Sequence, residues 1–206
     1  MARPALTPDE LDSTRRRILA ETAAIVASEG YAALSMRRIA SAIGLTAGAL
    51  YRYFPTKQHV LMALWSDAIA ELDARIVAMD AAHDHDVDAI AGILRAYAEF
   101  ALADPARFRL MFLENDLGQF DELAREQDFF ASYLRLQARV EQAIRAGALQ
   151  AMPAEAATQL LWGSVHGIVT LGVTVNQIDF GDLLRLAATA ADTMLRGLSV
   201  PPSTTR

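Results

Sequence analysis

The residues best equipped for chemistry in this 206-residue chain lie in one stretch, Ser35 to Lys57, which reads SMRRIASAIGLTAGALYRYFPTK. It holds no nucleophile–base pair, glycine-rich phosphate loop or metal triad. Arginines, tyrosines and a lysine instead gather at the outer ends of two short helical segments joined by a tight turn at Gly44. That is the pattern of a helix-turn-helix, and the chemistry it suits is recognition of a polyanion. A DNA major groove admits one helix, and phosphates line both of its banks. Arg37 and Arg52 have the geometry to read guanine edges, Tyr51 and Tyr53 offer hydroxyls and flat rings, and Lys57 has the reach for a phosphate. Thr46 is placed to cap the second segment, whose free N–H groups favour an approaching phosphate, and Gly48 removes a side chain where backbone must come close. Arg37 and Arg38 are adjacent on one helix and cannot both face a duplex. The docking logic assigns Arg37 to it and leaves Arg38 on a solvated face, with Phe54 in the core.

The elements that must position these groups all read as helix, because apolar residues recur at three and four rather than two. Thr7-Pro8-Asp9-Glu10 opens the first with a capping box, Ile18, Thr22, Ile25 and Glu29 mark one side of it with Ile18, Ile25 and Val26 in the core, and Gly30 closes it. Ser35 caps a second helix, Met36 to Ile43, which Gly44 stops; a third runs from Thr46 to Tyr53, and Phe54-Pro55 halts it. Ile39, Ala40, Ile43, Leu45 and Leu50 form the wedge that fixes the angle between them. Thr56 caps a long fourth helix to Ala81, with Val60, Leu64, Ala68, Leu72 and Ile76 four apart. A polar surface loop, Ala82 to Asp88, follows. Further helices are expected at Val87–Ala103, Pro105–Glu114, Phe120–Ala146, Pro153–Val175 and Phe180–Leu198, broken at Asn115–Gly118, Gly147 and Asn176–Asp179, with a disordered tail over 201–206.

The expectation is an all-α chain of about nine helices: a three-helix DNA-binding head with a helix-turn-helix over residues 1–58, linked by the long fourth helix to a helical-bundle ligand-binding and dimerisation domain over 59–200. Charge divides at the same place. Residues 1–60 carry eight basic against five acidic side chains and the rest eleven against twenty, so the net charge of −6 hides a basic head on an acidic body. The absence of cysteine excludes disulfides, thiolate nucleophiles and thiolate zinc sites. The N-terminus lacks a signal-peptide core, and the longest apolar run, Leu160 to Val175, is too short for a membrane span, so a cytoplasmic protein with no membrane partner is expected.

The stretch Gly48-Ala49-Leu50-Tyr51-Arg52-Tyr53-Phe54-Pro55-Thr56-Lys57, with Gly30-Tyr31 and Ile39-Ala40 upstream, resembles the DNA-binding domain of the tetracycline-repressor (TetR) family. The resemblance implies that Ser35, Tyr51 and Lys57 anchor the DNA backbone and that Arg37, Ala47, Ala49, Arg52 and Tyr53 face the groove. Ala47 and Ala49 stand where many relatives carry hydrogen-bonding side chains, so base reading here leans on Arg37, Arg52, Tyr53 and methyl contacts.

Further along, Leu160-Leu161-Trp162-Gly163-Ser164-Val165-His166-Gly167-Ile168 resembles the Trp…His-Gly motif of one subgroup of TetR ligand-binding domains. The resemblance implies a homodimer built by the last two helices, a small-molecule effector, and repression that the effector releases by tilting the fourth helix. Trp162, His166, Val169 and Val173 share a stripe, and Gly163 and Gly167, four apart, permit close approach of another helix. Candidate pocket residues are Trp65, Tyr97, Phe108, Met111, Phe112, Tyr133, Trp162 and His166, whose character fits a mostly apolar ligand with one or two polar anchors. Aromatic residues at helical spacing fit a packed core more readily than a pocket, and both readings stand. His166 fits a pocket anchor, a metal ligand or a satisfied buried histidine, with the last weighing most. His83-Asp84-His85-Asp86 reads as a solvated loop rather than a metal site, and no metal or cofactor is expected. The rivals are an all-helical enzyme using His166 as acid–base, for which no partner group stands out, and an adaptor whose head binds protein.

Overall fold

In the computed structural model, residues 7–113 and 130–201 are described. Every element among them is helical apart from one isolated antiparallel bridge between Leu149 and Ser199. The helices are α1 (Pro8–Glu29), α2 (Met36–Ala42), α3 (Ala47–Leu50), α4 (Lys57–Ala81), α5 (Asp86–Ala103), α6 (Pro105–Phe112), α7 (Ala131–Arg145), α8 (Ala154–Thr174) and α9 (Leu183–Leu198), with a 3₁₀ turn at Tyr31–Ala33. These nine, among the described residues, match the all-α expectation. The expected turn at Asn115–Gly118, the expected helix start at Phe120 and the tail from 202 onward lie outside the described residues.

Local chemistry sets most boundaries. The capping box at Thr7 and Glu10 is present in both directions, Ser35 Oγ accepts from Arg38 N–H, and Thr56 Oγ1 accepts from His59 N–H. Gly30 and Gly44 close α1 and α2 at φ +82° and +72°, left-handed backbone that a side chain disfavours.

Four expectations change. The third helix is shorter than Thr46–Tyr53: helical bonding ends at Leu50, and residues 51–53 form a tighter turn in which Arg52 and Tyr53 donate to carbonyls three residues back. The loop after α4 is shorter, because α5 already starts at Asp86. His83 in that loop is half-buried rather than solvated, since its Nδ1 pairs with Met79 O at 2.8 Å and its ring lies against Gly92. The last helix starts at Leu183 rather than Phe180, because Asp182 caps it by accepting from Arg185 N–H after a turn in which Asp179 accepts from Gly181 N–H.

The described residues fall into two compact units, 7–68 with 106–113, and 69–105 with 130–201, the division falling inside α4 between Ala68 and Ile69. In the first, α1 packs on α2 and α2 on α3 around Ile18, Ile39, Leu50 and Phe54, each no more than 1% exposed. In the second, α5 is the central helix, buried along most of its length and packed by α7, α8 and α9. Arg139 on α7 ties the end of α4 to the start of α5, its Nε 2.5 Å from Asp80 and its Nη1 3.0 Å from Asp86. Gln150 N–H donates to Leu198 O and Val200 N–H to Ala148 O, which clips the end of α9 to the α7–α8 connection. No helix among the described residues is long and apolar enough to cross a membrane.

Candidate nucleic-acid interface

The head is sealed underneath and polar on top. Ile39, Ala40, Leu34, Met36, Leu50 and Phe54 are buried, whereas Ile43 and Leu45, expected in the wedge, are half-buried. The turn between α2 and α3 is held by Leu45 N–H donating to Ala40 O at 2.8 Å and Gly44 N–H to Ser41 O, which only a left-handed residue at 44 permits. Thr46 then caps α3, its hydroxyl accepting from Ala49 N–H at 3.1 Å. With one helical turn, α3 has a small dipole, so attraction of a phosphate to its start is weaker than a longer helix would give.

Of the expected contact residues, Ser35, Arg37, Thr46, Gly48, Tyr51 and Arg52 are exposed, and Ala47, Ala49, Tyr53 and Lys57 are half-buried. A Cβ on Gly48 would meet nothing within 4 Å, and its φ is not positive, so nothing within the chain demands glycine there. Lys57 Nζ lies 4.3 Å from the centroid of the Tyr31 ring, a cation–π contact. Arg37 is exposed, whereas Arg38 is half-buried and forms a bidentate pair with Glu29 of α1, and that bond holds the Glu29 carboxyl below its usual range. One residue escaped the sequence reading. Arg15 of α1 donates from Nη1 to Tyr53 O at 3.0 Å and stacks on Phe54, a contact that no local pattern announces.

The eight candidate pocket residues divide between the two units. Trp65, Phe108, Met111 and Phe112 belong to the first, where Phe108 and Phe112 stack at 5.0 Å and Trp65, Phe108 and Met111 are buried. Tyr97, Tyr133, Trp162 and His166 belong to the second and meet there, from α5, α7 and α8. Trp162 makes T-shaped contacts with Tyr97 and Tyr133, ring centroids 6.3 and 5.9 Å apart, and its ring lies 5.1 Å from His166. Tyr97 Oη and His166 Nδ1 are 2.6 Å apart. Burial pushes the Tyr97 hydroxyl up and the His166 imidazole down, so both are neutral near pH 7. The phenol and Nδ1 share one hydrogen bond, whose direction follows the imidazole tautomer. His166 is half-buried and hydrogen-bonded to Tyr97, an arrangement compatible with both the satisfied-histidine and the pocket-anchor readings. Among the described residues no group of three His, Cys, Asp or Glu could hold a metal ion.

A pH dependence follows from this pair. The folded imidazole has a lower pKa than the free value of 6.5, so the unfolded chain binds the proton more readily. Its stabilising contribution is therefore complete above pH 6.5 and is lost as pH falls below it. Urea unfolding of wild type and His166→Phe at pH 7.5 and 5.0 checks this: the wild type should lose more stability than the variant, and equal losses would refute the neutral pairing.

With that geometry in place, known proteins supply a context. The family profile described as bacterial regulatory proteins, tetR family, matches residues 18–64, and the one described as tetracyclin repressor-like, C-terminal domain, matches residues 90–197. The chain belongs to the TetR family. It is 36% identical over 80 residues to the HTH-type transcriptional repressor KstR of Rhodococcus jostii, an alignment covering 36% of this chain and 38% of that protein. The chain thus spans little more than a third of the length of this curated relative. Among solved structures, a protein of unknown function from Rhodococcus sp. RHA1 is 26% identical with a TM-score of 0.73, covering 90% of this chain and 95% of that one. A TetR-family transcriptional regulator from Pectobacterium atrosepticum is 27% identical with a TM-score of 0.67, covering 96% and 100%. The TetR profiles thus cover both the head and the aromatic cluster of α5, α7 and α8.

Proposed function

We propose that this TetR-family chain is a homodimeric repressor that binds double-stranded operator DNA through its head and leaves it when a small, mostly apolar molecule binds the body. The observation that carries the reading is the exposed row Arg37, Tyr51 and Arg52 on a helix-turn-helix held from beneath by the buried Ile39, Leu50 and Phe54. A groove-reading surface needs basic and hydrogen-bonding groups held on a rigid support, and the row has both. Residues 1–58 carry the DNA role and 59–200 the ligand and dimer roles. The repressor named among its relatives supports the sign of regulation.

In the body, the Tyr97–His166 pair beside Trp162 and Tyr133 offers flat apolar walls with a single polar anchor, which is the reason for assigning an apolar, aromatic or lipophilic effector. The dimer role falls to the outer faces of α8 and α9. On α8, Leu160, Gly163, Gly167 and Leu171 follow one another at spacings of three and four, with both leucines exposed. A two-fold pair places two heads on half-sites about one DNA turn apart. The effector acts only through a difference in its affinity for the DNA-competent and incompetent states, and we assign the coupling to α4. Couplings of about 1–3 kcal/mol change operator occupancy roughly 5- to 150-fold.

The test is selection of bound fragments from a random duplex pool, repeated with candidate aromatic and lipophilic compounds. Enrichment of a palindromic site that an apolar compound abolishes supports the reading; no enrichment overturns it. On the selected site, Arg37→Ala should cost roughly 1–3 kcal/mol with loss of preference at one base. Lys57→Ala should weaken binding to every sequence and flatten the salt slope by about one unit. Unchanged affinity and slope in both variants would refute the docking geometry.

A further inference from the structure

The element that reads DNA in the foregoing proposal has little of its own to hold it in place. α3 is a single helical turn, includes Gly48, and runs into a turn rather than a longer helix. A helix so short is not stable by its own hydrogen bonds, so the position of Tyr51, Arg52 and Tyr53 depends on what grips each end. Thr46 grips the beginning. The end is gripped from α1: Arg15 donates to the Tyr53 carbonyl at 3.0 Å, and its guanidinium carbon lies 4.4 Å from the centroid of the Phe54 ring. Phe54 is 1% exposed, which makes it a fixed platform. A planar, permanently charged guanidinium is suited to stack on a ring and bond to the adjacent carbonyl at once.

We infer that Arg15 is a positioning residue for DNA reading, one that sets where the Tyr51–Tyr53 segment meets the duplex without touching DNA itself. The inference rests on the DNA-binding role proposed above. Its test uses a duplex selected from a random pool by the wild-type full chain, with Arg15→Ala and Arg15→Lys compared on it. The Ala variant should bind roughly tenfold more weakly, the effect of one charge-assisted hydrogen bond. Its salt slope should match wild type, because no phosphate contact has gone. Amide exchange at residues 50–54 should quicken while α2 and α4 keep their protection. The Lys variant keeps charge and a donor but not the planar stack, so it should recover only part of the affinity; should the Ala variant fail to fold, wild-type affinity in the Lys variant overturns the inference in its place. Wild-type affinity in Arg15→Ala overturns the inference, as does a slope flattened by about one unit, which would make Arg15 a direct phosphate contact. Exchange quickened evenly across the head also overturns it, since that is general destabilisation. A wild-type chain that enriches no duplex fails the DNA-binding role instead, so the two failures are told apart.

Discussion

Phe54→Ala is expected to cost about 3–5 kcal/mol of stability in the head, the range for truncating a buried aromatic ring. Phe54 is among the largest fully buried side chains, at 1% exposure, in a unit whose core is small. A small domain buries a limited fraction of its surface, so each large core ring carries a large share of the margin. The substitution also removes the platform under Arg15 and the packing that holds the end of α3. DNA binding should therefore fall with stability, whereas Phe54→Leu, which keeps most of the volume, should cost less than about 1.5 kcal/mol and retain binding. Denaturant unfolding combined with amide exchange across residues 8–60 measures both. A loss under 1 kcal/mol for the Ala variant would show that the ring is replaceable and that the buried core of the head is not what supports α3.

What could be read in advance was what is local. The caps at Thr7, Ser35, Thr46 and Thr56 each need a side chain only three residues from its partner, and all four are present. The burial of Ile18, Thr22 and Ile25 in α1, and of Ile39 in α2, follows from periodicity within single helices. Asp182 is equally local: the Asp-Phe-Gly-Asp sequence at 179–182 carries the turn signal that delays the last helix to Leu183. Contacts between distant residues left no such trace. Arg15 and Tyr53 are 38 residues apart, Arg139 and Asp80 59 apart, and Tyr97 and His166 69 apart. The types of Tyr97 and His166 were suggestive, but only the packing of α5 on α8 makes them a pair. The same limit explains why eight aromatic, Met and His candidates could not be sorted: residue type marks Trp65 and Trp162 alike, and only the fold assigns them to different units.

The largest effect on function should come from a residue far in sequence from the head. Leu171 is 46% exposed on α8, in line with Leu160 at 45% and with Gly167, where a Cβ would meet nothing within 4 Å. Because Leu171 makes little contact within one chain, Leu171→Arg should leave the fold and its unfolding midpoint nearly unchanged. In the proposed two-fold pair, however, each copy would place an unpaired guanidinium in an apolar contact against its symmetry mate, and burying such charges costs far more than the lost leucine. The variant should sediment as a monomer at micromolar concentration where the wild type is a dimer. Its affinity for the palindromic duplex should fall by about 10²- to 10⁴-fold, because the second head is no longer held at millimolar effective concentration beside its half-site. Binding to a duplex with a single half-site should be unaffected, which separates loss of pairing from damage to the head. A Leu171→Arg chain that remains dimeric and holds the palindrome as tightly as wild type would mean that this face of α8 faces solvent in the working protein, and the pairing of two heads would have to be built elsewhere.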